Sequence, residues 1–225
     1  MTQKRIYPDA CGLAQALNVL GERWALLVIR ELLLGPKRFA DLNRDLPGIS
    51  KPVLSQRLGE LEERTILGRR RLEPPAAAWV YELTEWGEEL EPVVCALGHW
   101  GARSPFFDLD QPLSCTSAAI SMRTMFHAEA AAGLDLTVEI TLGQERFHTV
   151  IRDGLLDLKR AAPEAQRQAT ATVTTTPEAL AGMLYAGTRL EDAEAAGSAT
   201  FQGDRAAFES FLRCFQLPEP AQKLS

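Results

Sequence analysis

The first half of the chain repeats apolar side chains at helical spacing, interrupted by turn-forming residues. Apolar positions recur at this spacing over residues 14–32 and 39–46, which predicts short amphipathic helices. A proline and a glycine at 47–48 form a turn, and Ser50 stands where the N-cap of a further helix is expected. The apolar stripe of that helix consists of Leu54, Leu58 and Leu61. The sequence therefore predicts two short helices joined by a tight turn.

A hairpin and a long helix follow this pair of helices. Residues 66–72 and 79–83 are short β-prone runs joined by a proline-containing turn. Thr84 can cap a helix whose pattern continues from 85 to 103. Two short helices with a tight turn, followed by an arginine-rich hairpin, are typical of a winged helix-turn-helix. We therefore predict a mainly α, winged helix-turn-helix domain over residues 1–103.

The second half of the chain has a different pattern. Residues 104–115 contain prolines and other turn formers with little periodicity, which indicates a linker or a capping segment. Alternating apolar residues then predict strands, and helices are expected after the cap residues Thr176 and Asp204. The predicted strands are 134–142, 145–151, 155–158, 169–175 and 198–202. This order predicts a separate α+β domain over residues 104–225.

The distribution of charge matters more than the net charge. The chain has 24 Lys and Arg against 30 Asp and Glu, a net charge of −6 that at first argues against nucleic acid binding. Residues 1–103 are neutral, however, and residues 37–71 carry nine basic and five acidic side chains. A local basic surface is sufficient for DNA binding. No apolar run resembles a membrane span or a signal peptide, so we expect a cytoplasmic protein without membrane contact.

The second motif helix has small and polar groups opposite its apolar stripe, and Lys51, Ser55 and Arg57 are expected on the flanks of the stripe. These groups lie near the N-terminus of the helix. Such an end can enter the major groove of DNA, and the helix dipole favours phosphate. The arginine run of the hairpin can follow phosphates or enter a minor groove. The candidate contacts to double-stranded DNA are Lys37, Arg38, Ser50, Lys51, Pro52, Ser55, Gln56, Arg57, Arg69, Arg70 and Arg71. Gln56 is expected to affect sequence preference, and Arg70 the overall affinity and its salt dependence.

Several motifs occur in a fixed order over residues 8–103. They are Cys11, Gly21-Glu22-Arg23-Trp24, Gly35 before Arg38-Phe39, Leu46-Pro47-Gly48-Ile49-Ser50, Leu54-Ser55-Gln56-Arg57-Leu58, Pro74-Pro75, and Tyr81-Glu82-Leu83-Thr84 leading to Gly87. Together they resemble the HxlR family of bacterial regulators. The resemblance implies a homodimer that binds an inverted-repeat operator and represses or activates nearby genes. It also implies that the N-terminal helices and the helix at 85–103 form the dimer interface.

The chain departs from that family in two places. The family usually has glycine at the position of Thr65, directly before the first strand of the hairpin, so the preceding helix is expected to end differently here. Family members usually finish soon after the long helix, whereas this chain continues to residue 225. We therefore expect the response to an effector to lie in residues 104–225.

A second ordered pattern lies near the end of the chain. A strand is followed by a Pro177-Glu178 helix start, Gly187, Gly197, another strand, and Gly203-Asp204 before the last helix. This order resembles the C-terminal part of sterol carrier protein 2-like (SCP2-like) domains, which are α+β and often enclose an apolar cavity. The resemblance implies an apolar small-molecule effector. Candidate lining residues are Met122, Met125, Phe126, Met183, Leu184, Phe208, Phe211 and Phe215. Ordinary core packing is the alternative interpretation for each of them.

Other functions stay open beside small-molecule sensing. Cys11 occupies the position of a cysteine that some HxlR members use to sense oxidants or electrophiles, with a packing thiol as the alternative. A lipid carrier, or an interaction module whose basic segment is incidental, is also compatible with the sequence. Cys95 and His99 lie one helical turn apart, but two ligands do not make a site, so no metal or cofactor is expected. We find no catalytic motif and do not expect an enzyme.

Overall fold

The computed structural model of the protein describes residues 6–74, 76–161 and 169–222. It divides into two compact units between residues 94 and 95. The domain boundary that the sequence suggests, after residue 103, stays a prediction. Pro75, in the predicted hairpin tip, lies outside the described residues. None of the helices in the described part of the chain has the length and apolar character that crossing a membrane requires.

The N-terminal unit is mainly helical and carries a two-stranded hairpin. Its helices are α1 (Gly12–Leu20), α2 (Ala25–Leu32), α3 (Phe39–Asp45), α4 (Lys51–Glu63) and α5 (Glu85–Glu88), and its strands are β1 (Leu67–Arg71) and β2 (Trp79–Leu83). Helix α6 (Glu91–Ala102) crosses the division between the units. The two strands pair antiparallel. The predicted winged helix-turn-helix is confirmed: α3 and α4 form the motif, and the hairpin is the wing.

Helix α4 begins and packs as the sequence predicts. The Ser50 hydroxyl accepts a hydrogen bond from the Val53 amide at 3.4 Å and thereby caps the first turn. Leu54, Leu58 and Leu61 are fully buried in a cluster shared with α2 and α3. Burial of this stripe fixes the rotation of α4, because the apolar side must face the core. The opposite side of the helix is left exposed.

The predicted long helix from 85 to 103 is interrupted. Thr84 caps α5 as expected, since its hydroxyl accepts from the Gly87 amide at 3.1 Å. Helix α5 nevertheless ends at Glu88, and α6 begins at Glu91. Pro92 explains the break, because its nitrogen has no hydrogen to donate to the carbonyl of residue 88. At the second position of α6 the missing hydrogen is harmless, since first-turn amides have no partner within the helix.

The junction between α4 and the wing contains two constrained residues. Thr65 follows α4 with a φ of 59°, in the left-handed region that glycine adopts more readily. The residue that departs from the family glycine therefore places backbone strain at this turn. A Cβ atom on Gly87 would overlap the carbonyl oxygen of Ile66. Glycine at this position is what allows α5 to approach the start of the wing.

The C-terminal unit is built on a mixed sheet. Its strands are β3 (Leu136–Leu142), β4 (Glu145–Arg152), β5 (Leu155–Arg160), β6 (Ala171–Thr175) and β7 (Ala199–Gly203). Their order in the sheet is β5-β4-β3-β6-β7, with β3 and β6 parallel and the other neighbours antiparallel. The helices are α7 (Cys115–Thr124), α8 (Pro177–Tyr185), α9 (Leu190–Ala195) and α10 (Arg205–Leu212). The α+β class is confirmed, and the SCP2-like label stays a prediction.

Candidate DNA-binding interface

The exposed face of α4 is small and polar near the helix N-terminus. Lys51, Pro52, Ser55 and Gln56 are all exposed, together with the cap residue Ser50. The first turn contains no acidic residue. The positive end of the helix dipole therefore meets solvent beside a lysine, an arrangement that favours contact with a phosphate.

Lys37 does not lie on this surface, which corrects the sequence prediction. Its side chain is 3% exposed, and its Nζ donates to Glu31 Oε2 and to Asp45 Oδ2 at 2.7 Å each. Glu31 is itself fully buried on α2 and also pairs with Arg30 at 2.8 Å. The backbone of Lys37 exchanges two hydrogen bonds with Tyr81 of β2, at 2.8 and 3.0 Å. Lys37 thus joins α2, α3 and the wing and is not available to DNA.

Arg57 requires the same correction. Its side chain is 7% exposed, and it pairs with Glu60 on its own helix and with Glu22 at 3.6 Å. Position 57 is one helical turn from both Leu54 and Leu61, so it falls within the buried stripe and not on its flank. Its Nε is buried without a hydrogen-bond partner among the described residues. Arg57 is therefore a structural residue of α4.

The three wing arginines do not form a single patch. Successive side chains alternate across β1, so Arg69 and Arg71 lie on one face of the hairpin and Arg70 on the other. Arg70 pairs with Glu82 across the hairpin at 2.8 Å. This hydrogen bond lowers the pKa of the Glu82 carboxyl and raises the pKa of Arg70. The guanidinium of Arg69 lies over the ring of Trp79, with its carbon 4.9 Å from the centroid.

Three exposed cations remain available for phosphate. Arg38 stands at the N-cap of α3, where its side chain makes no capping hydrogen bond. Neither Arg38, Lys51 nor Arg71 forms an ion pair with another described residue. The motif and the wing therefore keep a local positive charge after the internal ion pairs of Lys37 and Arg57 are taken into account.

The acidic partners of Lys37 and Arg70 were not identified from the sequence. Glu31 follows the buried residues Val28 and Ile29 on the apolar side of α2. An acidic residue in such a stripe is rarely buried unless it is paired, so its position was a usable signal. Glu82 gave no comparable signal, because its contact with Arg70 depends on the register of the hairpin.

The candidate cavity residues lie mostly in the core of the C-terminal unit. The rings of Phe126, Phe215, Phe211 and Phe208 contact one another in that order, with neighbouring centroids 5.0 to 5.9 Å apart. Met122, Met183 and Leu184 are buried on α7 and α8. For these seven residues the alternative interpretation, ordinary core packing, fits the structure better. Met125 is the exception, since it lines a pocket described below.

The redox candidate Cys11 and the metal-ligand candidates Cys95 and His99 are considered in turn. Cys11 is exposed at the N-cap of α1, where the nearby backbone amides of Ala14 and Leu13 lower the pKa of its thiol. No group of three potential metal ligands occurs among the described residues, so Cys95 and His99 find no third ligand there.

Helix α4, capped and exposed at its N-terminus, lies beside a basic wing. This arrangement defines the protein as a winged helix-turn-helix DNA-binding protein. The HxlR-like helix-turn-helix family matches residues 19–105. The HTH-type transcriptional regulator YodB of Bacillus subtilis (strain 168) is 39% identical over 85 residues, which cover 38% of this chain and 76% of YodB. The chain belongs to the HxlR-like helix-turn-helix family and is a transcriptional regulator.

Solved structures of regulators are also similar to part of the chain. The reduced form of YodB from B. subtilis is 34% identical, covers 44% of this chain and 97% of that one, and has a TM-score of 0.39. The redox regulator HypR in its oxidized form is 31% identical, covers 43% and 100%, and has a TM-score of 0.40. Residues 119–223 match a different family, described as alkyl sulfatase C-terminal. The two halves of the chain are thus similar to different families.

Proposed function

We propose that the protein acts as a homodimer that binds an inverted-repeat operator by inserting α4 of each protomer into a major groove. The observation that carries this proposal is the exposed N-terminal half of α4, where Lys51, Ser55 and Gln56 follow the Ser50 cap. Two copies related by a twofold axis would read half-sites about one turn of DNA apart, or multiples of it. Gln56 would read base edges, and Lys51 would contact phosphate.

Wing and motif arginines would supply the remaining backbone contacts. Arg71 and Arg69 share one face of the wing, and Arg38 stands at the start of α3. Contacts of this kind orient the protein on the duplex and make binding salt-dependent, but they carry little sequence information. Arg70 contributes less in this arrangement, because Glu82 already neutralises much of its charge.

Exposed apolar side chains support a homodimer. Helix α6 exposes Leu97 and Trp100, and Trp100 is 73% exposed. Leu13 and Leu17 are exposed on α1. Leu97 and Trp100 are three residues apart and Leu13 and Leu17 four, so each pair shares one face of its helix, and adjacent exposed apolar side chains are typical of interaction surfaces. We assign both helices to contacts with a second copy, as the family resemblance implies.

Fluorescence anisotropy with DNA from upstream of the protein's own gene tests the DNA contacts. Gln56→Ala should change the ranking of operator sequences. Lys51→Ala and Arg71→Ala should weaken binding to all sequences, and each should reduce the salt slope by about one. Lys159→Ala, which removes an exposed lysine of the C-terminal unit, is the matched control and should change neither quantity. Unchanged salt slopes in both basic variants would remove these residues from the interface.

Light scattering of the purified protein tests the dimer. Leu97→Glu should give a monomer that has lost operator affinity, because it places a charge in the proposed interface. Leu155→Glu is a matched control, since Leu155 is 72% exposed on a strand outside α1 and α6. A Leu97→Glu protein that stays dimeric would contradict the assignment of α6.

The C-terminal unit would take an apolar small molecule that changes the affinity for DNA. Support comes from its separate fold and from an apolar pocket within it. A ligand shifts DNA affinity only if it binds two dimer geometries unequally. Titrating apolar compounds into the protein–DNA complex tests this: an unchanged anisotropy for every compound that binds the protein would remove the effector role and leave DNA binding untouched.

A redox switch through Cys11 is a second candidate function. The exposure of this thiol and its lowered pKa favour reaction of the thiolate with a peroxide, which would transfer one oxygen to the sulfur and leave as water or an alcohol. Hydrogen peroxide should then change the DNA affinity of the wild type and not of Cys11→Ser. Cys95→Ser, at a half-buried thiol, is the matched control. A Cys11→Ser protein that responds like the wild type would exclude this switch.

A further inference from the structure

One pocket of the C-terminal unit combines apolar walls with a few polar groups, among them a half-buried hydroxyl pair. Its volume is about 370 Å³, at the lower end of the range of about 300–1,000 Å³ that small-molecule sites occupy. Helix α7 contributes Ser121, and its C-cap residue Met125 lies four positions later and so on the same face. Helix α8 contributes Ala181 and Tyr185 in the same way. The pocket therefore has two rigid walls.

The segment after α6 forms the third side of the pocket. Phe106, Phe107 and Leu109 from this segment line it. The segment is held at its far end by the Leu113 amide, which donates to Glu178 Oε1 at 3.4 Å. Because this wall follows α6 directly in the chain, a ligand that shifts it acts on the segment that leads to the proposed dimer helix.

The hydrogens of the hydroxyl pair can be assigned. Ser121 Oγ donates to the Ala118 carbonyl at 2.8 Å, so its one hydrogen is in use. The 3.0 Å contact between Ser121 Oγ and Tyr185 Oη is therefore a hydrogen bond donated by the tyrosine. The tyrosine oxygen keeps its lone pairs and has no hydrogen left to donate. Burial raises the pKa of Tyr185 to about 12, which keeps the phenol neutral at physiological pH.

The charge of the lining limits the ligand further. Asp108 is a lining residue, whereas no lysine, arginine or histidine is among the described residues that line the pocket. The Asp108 carboxylate accepts from the Asp110 amide at 3.0 Å and from Gln111 Nε2 at 2.8 Å, and these bonds lower its pKa. An anion would meet a fixed negative charge and no counter-charge. Uncharged ligands are favoured.

We propose that this pocket binds an uncharged aromatic molecule whose phenol or amine hydrogen is donated to Tyr185 Oη. The inference rests on the proposed function, since it names the effector class and the site for the ligand-responsive C-terminal unit. Aromatic rings suit the phenylalanine and methionine side chains of the walls. Specificity comes from the hydrogen-bond donor, because a ligand that carries only an acceptor leaves the tyrosine oxygen unpaired.

Calorimetry of the full chain with three naphthalene probes tests the proposal at neutral pH. 1-Naphthol should bind with one site per protomer. 1-Methoxynaphthalene, which lacks the donor hydrogen, should bind about five- to tenfold more weakly, as expected for one hydrogen bond. Naphthalene-1-sulfonate should show no binding at this site. Equal affinities for the naphthol and its methyl ether would overturn the assignment of Tyr185 Oη.

Three variants test whether the naphthalene probes bind in this pocket. Tyr185→Phe should lower naphthol affinity to that of the methyl ether and leave the ether unchanged. Leu109→Trp should fill the pocket and abolish binding of both, with thermal unfolding as the check that the protein is folded. Ser198→Ala removes a hydroxyl on the loop before β7 and should change neither affinity. A Tyr185→Phe protein that keeps the naphthol preference would refute the proposal.

Anisotropy with operator DNA separates this inference from the proposed function. If naphthol binds the wild type and Tyr185→Phe weakens this binding, the site assignment is supported. If DNA affinity nevertheless does not change with naphthol, that result counts only against the effector role. If none of the three probes binds while operator binding is intact, the site assignment is overturned and the DNA-binding proposal stands.

Discussion

Replacing Lys37 with methionine separates a structural role from a DNA-contacting one. The substitution keeps most of the buried apolar stem but leaves the carboxylates of Glu31 and Asp45 without their shared cation. Breaking a buried ion pair by removing one partner typically costs about 3–5 kcal/mol. Glu31 retains Arg30 at 2.8 Å, so we expect about 3 kcal/mol, the lower end of that range.

Urea denaturation followed by tryptophan fluorescence measures this loss. With a denaturant dependence of about 2 kcal/mol per molar, the midpoint should fall by about 1.5 M. The double variant Glu31→Gln/Lys37→Met should recover part of the loss, because it removes a buried negative charge that has lost one of its cationic partners. Glu82→Gln breaks an exposed ion pair of the same unit and should leave the midpoint close to that of the wild type.

An unchanged urea midpoint for Lys37→Met would contradict the buried, structural role of Lys37. If Lys37 contacts DNA from an exposed position, Lys37→Met will leave the midpoint unchanged and will lower the salt slope of DNA binding. In that case the double variant will also show no recovery, because Glu31 and Lys37 will not be coupled.

Other predictions concern the turn, the glycines and the wing. Gly59→Ala should raise the free energy of unfolding by about 1 kcal/mol, since α4 gains helix propensity and nothing lies within 4 Å of the added carbon. Gly87→Ala should lower it in the same urea assay, because a backbone carbonyl occupies that space; equal effects would contradict the close approach. Thr65→Gly should stabilise by about 1 kcal/mol by relieving the left-handed conformation, and a lower urea midpoint would argue against strain there. Glu82→Gln should tighten binding to all DNA sequences by releasing Arg70, as anisotropy at low salt would show; unchanged affinity would remove Arg70 from the contacts.

Helix α4 could be predicted because three leucines at helical spacing dominate one side of it. Leu54, Leu58 and Leu61 set its rotation, and Ser50 set its start, so the exposed residues followed. The burial and the ion pairs of Lys37 and Arg57 could not be predicted in the same way. Lys37 depends on Glu31 and Asp45, which the fold brings together from two helices. Arg57 pairs with Glu22 from a loop as well as with Glu60 on its own helix, and only the second of these pairs follows from sequence spacing.

Two helices of the C-terminal unit lacked a usable sequence signal. Helix α7 buries Ala118 and Ala119 beside serines and threonines, so its apolar side contrasts little with its polar side. Helix α9 has only six residues, too few for a periodic pattern to stand out. Of the residues that line the pocket, the sequence prediction named only Met125, because the walls include α7 and a segment without regular structure.

Operator binding by the full chain is the direct test of sequence-specific DNA recognition by α4. Anisotropy with upstream DNA, at physiological salt and with excess non-specific competitor, should show binding at about 10⁻⁸ M or tighter, with two protomers per site. Gln56→Ala should alter the preferred sequence in the same assay. Binding that disappears with competitor on every fragment of a genome-wide selection would contradict the account, because it would mean that α4 does not read sequence.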